Sequence, residues 1–213
     1  NTFADWDILN AMEGVCYLTN LEGEILATGE SNWSVFAEQN GGSILTKSEN
    51  VIGRNIYDCI SGADVLDSYL SISDALTRGS ERQITFTFRC DSPDVKREMR
   101  MCMSAICHNH QPIAILYQSL SLNEEVRPPI SLFDTIDLSK YRDDMSLPFV
   151  TICSYCHDVK AGEVKPGRDS ALWVKPETYY AQGGSSRVRL SHGICPTCYR
   201  KNKALTYSRS AAG

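Results

Sequence analysis

Apolar residues change their period along this chain, and each change marks a structural element. Val65, Tyr69, Ile72 and Leu76 recur at helical spacing, with Leu66 and Leu70 beside them, and predict a helix over 61–79. Ser61 offers that helix an N-cap, Arg78 suits its last turn and Gly79 stops it. Beyond it the period falls to two. Ile84, Phe86, Phe88 and Cys90 alternate with Thr85, Thr87 and Arg89, and Met99, Met101 and Met103 alternate with Arg100, Cys102 and Ser104. Ile113–Tyr117 is a continuous apolar run. Three strands are expected here, with turns at Asp91–Asp94 and His108–Gln111. Before the long helix, Gly14–Thr19 and Glu24–Gly29 read as a hairpin closed by Asn20–Gly23. Asp5–Met12 reads as a short amphipathic helix with Trp6, Leu9 and Met12 near one face, and 31–52 as irregular or shortly helical.

This order of elements is an α+β layout, with helices segregated from one antiparallel sheet. Over roughly 5–122 it resembles the PAS fold. The resemblance is carried by Leu9-Asn10-Ala11-Met12-Glu13-Gly14-Val15 entering the first strand, Asn20-Leu21-Glu22-Gly23-Glu24-Ile25 at the hairpin, and Val51-Ile52-Gly53-Arg54-Asn55-Ile56 before the long helix. It implies a PAS-like sheet with flanking helices, a sensory role, and an interior that holds haem, flavin, an organic acid or nothing. The flavin photoreceptors of that family place a reactive cysteine directly after the asparagine matched by Asn55, where this chain has Ile56; Cys59 lies three residues further on. Their haem-binding relatives place a histidine on or near the long helix, but 61–79 contain none, and His108 and His110 sit in a turn. Phe86, Phe88, Met99, Met101, Met103 and Tyr117 are candidates to line a pocket whose ligand is unknown, and serve equally well as plain core. Arg54, Arg89 and Arg100 suit an anionic ligand or, more simply, surface ion pairs.

Residues 123–148 carry Pro128-Pro129, several acids and scattered apolar side chains, and read as a linker between a sensor domain (1–122) and a second domain (149–213). That second domain holds the sharpest motif in the chain. Ile152-Cys153-Ser154-Tyr155-Cys156 and Gly193-Ile194-Cys195-Pro196-Thr197-Cys198 are two C-x₂-C knuckles separated by 38 residues. Two such turns can close four thiolates around one ion, with zinc favoured and a rubredoxin-like iron site less so. Disulfides or redox pairs are the remaining alternatives. Cys153–His157 also spells the c-type haem attachment pattern, which the second cysteine pair argues against. His157 and His192 could each replace a cysteine as ligand, though a histidine beside a knuckle more often supports or is exposed. Together with Leu172-Trp173, Glu177, Tyr179 and Ser191-His192-Gly193 leading into Tyr199, the knuckles resemble a cysteine-rich segment attached to some bacterial PAS-containing signalling proteins.

Composition sharpens this picture in three ways. Of nine cysteines, Cys16, Cys59, Cys90, Cys102 and Cys107 lie scattered in apolar segments, so the odd count argues against a secreted disulfide framework. No apolar run approaches the ~20 residues of a membrane span, and the N-terminus lacks a leader pattern, so a cytoplasmic protein is expected. The net charge of −5 divides sharply: 1–149 hold 11 basic and 22 acidic residues, net −11, whereas 150–213 hold 10 and 4, net +6. Such a break suggests units with different partners, or units that attract each other. No phosphate-cradling loop, metalloprotease helix or nucleophile elbow is present, so the expectation is a regulatory module, not an enzyme. It would act through a signalling protein partner, with a homodimer formed partly through Trp6, Leu9 and Met12. The alternatives are a nucleic-acid-binding regulator using the basic domain with Trp173, Tyr179, Tyr180 and Tyr199, or an iron redox protein.

Overall fold

The computed structural model describes residues 7–39, 47–134, 144–161 and 172–207. The first unit contains α1 (Asp7–Ala11), β1 (Val15–Thr19), β2 (Ile25–Thr28), α2 (Glu30–Gln39), α3 (Ala63–Thr77), β3 (Gln83–Arg89), β4 (Val95–His108) and β5 (Gln111–Val126). Its five strands form an antiparallel sheet in the order β2-β1-β5-β4-β3. This is the PAS-like arrangement expected from the sequence, with the helical crossover between β2 and β3 laid on one face.

The strand alternation builds the core directly. Tyr17, Ile84, Phe86, Met101, Met103, Ile115 and Tyr117 point to the face covered by Val65, Ile72 and Leu76 of α3. Tyr17 and Tyr117 are register partners and stack with ring centroids 4.6 Å apart. Such a pair adds about 0.5–1.5 kcal/mol beyond its buried area. Most candidate pocket residues are therefore packed as core: Met101 and Met103 are buried among these rings and under α3, with Phe88 packed against them, and Met99 is buried as well. On the other face, α1 sets Leu9 and Met12 against Cys16, Leu18, Ala27 and Ala114. Leu9 is thus covered by the chain's own sheet and Met12 is half-buried against it; Trp6 lies outside the described residues.

One expectation about α3 is corrected. Its N-cap is Gly62, at φ 95°, rather than Ser61. Ser61 instead turns its hydroxyl to His192 of the second unit, 2.8 Å from Nδ1.

In the segment 123–148, expected as a linker, the described residues 123–134 are built into the fold. Its first residues complete β5, where Glu124 and Glu125 pair with Arg97 and Lys96 of β4. The backbone N–H groups of Arg127 and Ile130 then donate to Asp94 and Pro93 in the β3–β4 turn. Ile130, Leu132 and Phe133 are buried beneath a second sheet.

That sheet consists of β6 (Phe149–Cys153), β7 (Val159–Ala161), β8 (Leu172–Val174) and β9 (Arg189–Gly193), in the order β8-β7-β6-β9, followed by α5 (Pro196–Tyr207); α4 (Pro176–Ala181) lies between β8 and β9. Val150, Ile152, Val159 and Val188 join the three buried residues of the preceding segment, with Tyr179 and Tyr180 packed against them. The two units share a core. Cys153, Tyr155, Ile194 and Cys195 belong to the same apolar cluster as Tyr17, Phe86 and Tyr117.

Candidate metal centre

A parallel pairing explains how knuckles 38 residues apart in sequence come together. β6 and β9 run side by side in register, Cys153 opposite Gly193, so both chains leave the sheet at the same end. The first knuckle turns immediately after β6, with the His157 N–H donating to the Cys153 carbonyl at 2.9 Å. The second follows β9 and enters α5, whose first turn carries Cys198. The Ser154 N–H donates to the Gly193 carbonyl at 3.0 Å and ties the two turns together.

The four expected sulfurs meet. Those of Cys153, Cys156, Cys195 and Cys198 all lie within 4.8 Å of one another. A tetrahedral ion with ~2.3 Å bonds to sulfur needs sulfurs about 3.8 Å apart, and Cys156 and Cys195 stand at 3.7 Å. Backbone N–H groups already point at the ligand atoms, from Cys195 to the Cys153 sulfur at 3.3 Å and from Cys198 to the Cys195 sulfur at 3.4 Å. Cys153 and Cys195 are buried, whereas Cys156 and Cys198 are half-buried.

Electrostatics favour a cation here. Hydrogen bonds from Cys156 and Cys198, with the Cys195 N–H, hold the Cys153 thiol far below the usual range. The same sharing with Cys153 pushes Cys156 up strongly and Cys198 up to about 12. Thiols this close cannot all ionise unaided, and a bound divalent ion supplies the compensating charge. The donor set of four soft sulfurs in tetrahedral proximity fits zinc, and also ferrous or ferric iron.

Neither nearby histidine joins the cluster. The His192 side chain turns to Ser61, and burial lowers its pKa. His157, held at φ 60°, stacks on Phe133 with centroids 4.9 Å apart and brings Nδ1 to 3.5 Å from Asp91.

Asp91 reads from the sequence only as a turn residue, yet its side chain has no solvent exposure. It accepts from Arg89 Nε at 2.9 Å and the Arg97 N–H at 3.1 Å, and pairs with Arg127 Nη1 at 2.9 Å. Burial by itself would raise its pKa; the bonds from His157 and Arg89 overcome this and hold the carboxyl well below the carboxylate range. One carboxylate thereby joins the first sheet, the intervening segment and the first knuckle. Tyr155 makes a second junction, its ring edge-on to Phe86 with centroids 5.8 Å apart and its hydroxyl 3.0 Å from Ser68 of α3. No motif announces these contacts, because each joins positions distant in sequence.

Among solved structures, the chain is similar to the PAS domain of BvgS from Bordetella pertussis, at 9% identity and TM-score 0.43 over 66% of this chain and 93% of that one. A C-terminal domain from Streptococcus mutans gives 13% identity and TM-score 0.41 over 58% and 92%. A domain of an HTR-like protein from Haloarcula marismortui gives 10% and 0.33 over 51% and 97%. No protein-family model matches the chain, and no curated protein matches it. Likenesses this distant carry no argument about function.

Proposed function

We propose that the chain is a sensory or regulatory signalling module that acts in the cytoplasm through a protein partner and carries a structural zinc ion on Cys153, Cys156, Cys195 and Cys198. The observation that carries this reading is the seating of the four-sulfur centre directly on α3 and β3 of the PAS-like sheet, through Tyr155, Ile194 and the shared core. A metal in that position staples the second unit, whose core is small, and so fixes the surface that docks on the first. Output through a partner, without catalysis, suits a centre whose four cysteine sulfurs would fill the coordination of a tetrahedral ion. Among the described residues no helix is long and apolar enough to cross a membrane.

A protein partner is preferred to nucleic acid because two of the aromatic residues suited to base stacking are engaged elsewhere. Tyr179 and Tyr180 pack edge-to-face at 5.3 Å against the second core, and the Tyr179 hydroxyl donates to the Ser185 carbonyl at 2.9 Å.

Metal analysis of natively purified protein, with an absorption spectrum, tests the reading. One zinc per chain and a colourless solution are expected; iron–thiolate absorption would replace the structural-zinc reading with the redox alternative. Cys195→Ser should lose the ion, and retention of a full equivalent would sink the ligand assignment.

A further inference from the structure

The centre is lopsided. Cys153 and Cys195 are 0% and 3% exposed, sealed between the two units, while Cys156 and Cys198 line a cleft of about 810 Å³ beside the edge strand β3. Arg89, Lys96, Lys175 and Lys201 line the same cleft. Four thiolates around a dication leave two negative charges; Arg89, Lys96 and Lys175 are themselves paired with Asp91, Glu125 and Asp158, and Glu98 lines the cleft beside them. Small solutes therefore reach two of the four ligands, always the same two.

We propose that the centre is a redox switch, oxidised through this cleft by a small peroxide that joins Cys156 to Cys198 and releases the ion. The switch presupposes the zinc site proposed above and names the signal it would read. The Cys156 thiolate attacks the peroxide, forming an S–O bond as the O–O bond breaks, and the departing hydroxide takes a proton to become water. The Cys198 sulfur, within 4.8 Å, attacks the resulting sulfenic acid; the S–S bond forms, the S–O bond breaks and a second water leaves. Two thiolates supply the two electrons that reduce the peroxide, solvent supplies two protons, and zinc changes no oxidation state. Cys153 and Cys195 alone cannot hold the ion, so it departs.

The structure also gives the switch a lever. Between the two cysteines of the first knuckle sits Tyr155, whose hydroxyl meets Ser68 and whose ring meets Phe86. Drawing Cys156 toward Cys198 pulls on this contact and frees the start of α3, where Ser61 holds His192.

The test uses the full zinc-loaded chain and hydrogen peroxide, with a chromogenic chelator to count released zinc and non-reducing peptide mapping to locate the disulfide. One zinc released per chain, a Cys156–Cys198 link, and faster amide exchange across 61–69 are expected, all reversed by a thiol reductant with added zinc. Zinc retained with four free thiols would overturn the switch while leaving the zinc reading intact, as would release through a link to Cys153 or Cys195. A chain that binds no zinc before oxidant is added would sink both.

Discussion

At the scale of single residues, Asp91 carries more of the assembly than its place in a turn suggests. Its carboxylate is fully buried among Arg89, Arg127, His157 and the Arg97 N–H, so removing it leaves cationic groups without their counter-charge. Breaking a buried pair in this way costs about 3–5 kcal/mol. Asp91→Ala should lower the denaturation midpoint of the zinc-loaded chain accordingly, and a loss below about 1 kcal/mol would show that the cluster is not a clamp. The pH dependence has a definite sign. A carboxyl held below its unfolded value contributes stability that is fully present above about pH 4 and is lost as pH falls further. The gap between wild type and Asp91→Asn should therefore be widest near neutrality and narrow in acid; a gap constant down to pH 3 would contradict the assignment. The four cysteines are readable from the sequence because a knuckle is a local device, two ligands in one turn. Asp91 is not, because its partners arrive from β4, from the segment after β5 and from the first knuckle.

At the scale of elements, the same distinction separates what the pattern of side chains reveals from what it hides. The long helix and β3 are visible because one face of each is buried, which imposes a period. The full extents of β4, at 14 residues, and β5, at 16, are not. Their far ends pair Lys96 with Glu125 and Arg97 with Glu124, cross-strand ion pairs that leave no apolar alternation to read. The start of α3 misleads for a related reason. Ser61 looks like a cap by residue type, but the position is committed to the second unit, and Gly62 carries the turn. A Cβ on Gly62 would stand 2.3 Å from the His192 carbonyl oxygen, whereas one on Gly79, also at positive φ, would meet nothing within 4 Å. Gly62→Ala should thus combine backbone strain with a backbone clash and cost about 2 kcal/mol or more, against about 1 kcal/mol for Gly79→Ala. Equal losses in paired thermal melts would mean that the second unit does not dock on this turn. Tyr155→Phe keeps the ring on Phe86 and removes only the hydroxyl, at about 1 kcal/mol; Ser68→Ala should cost a similar amount, and the double variant little more than either. Additive losses would show that the two hydroxyls do not interact.

At the scale of the molecule, the charges of −11 and +6 point to electrostatic docking, but among the described residues the contacts that join the units are mostly neutral. Ser61 meets His192, Ser68 meets Tyr155, and Ile194 and Tyr155 enter the core of the first sheet. The ionic junction at Asp91 is sheltered from salt by burial. Apolar docking of this kind predicts coupled unfolding. The zinc-loaded chain should melt in one transition, read identically by tryptophan fluorescence and by zinc release, because neither unit loses the other without exposing the cluster they share. Structural zinc in small four-ligand sites is worth about 10–16 kcal/mol of apparent binding free energy, comparable with the entire stability of a domain. Chelation should therefore unfold the second unit, whose own core is small. The first sheet retains its stacked Tyr17 and Tyr117 and its α3 contacts, so it should persist with a lowered midpoint, because Phe86 and Ser68 lose their cover. Calorimetry before and after chelation reads the difference: one transition with metal, one smaller and earlier transition without. Two independent transitions in the loaded protein, the first unmoved by chelation, would mean that the shared core does not couple the sensor to the metal centre.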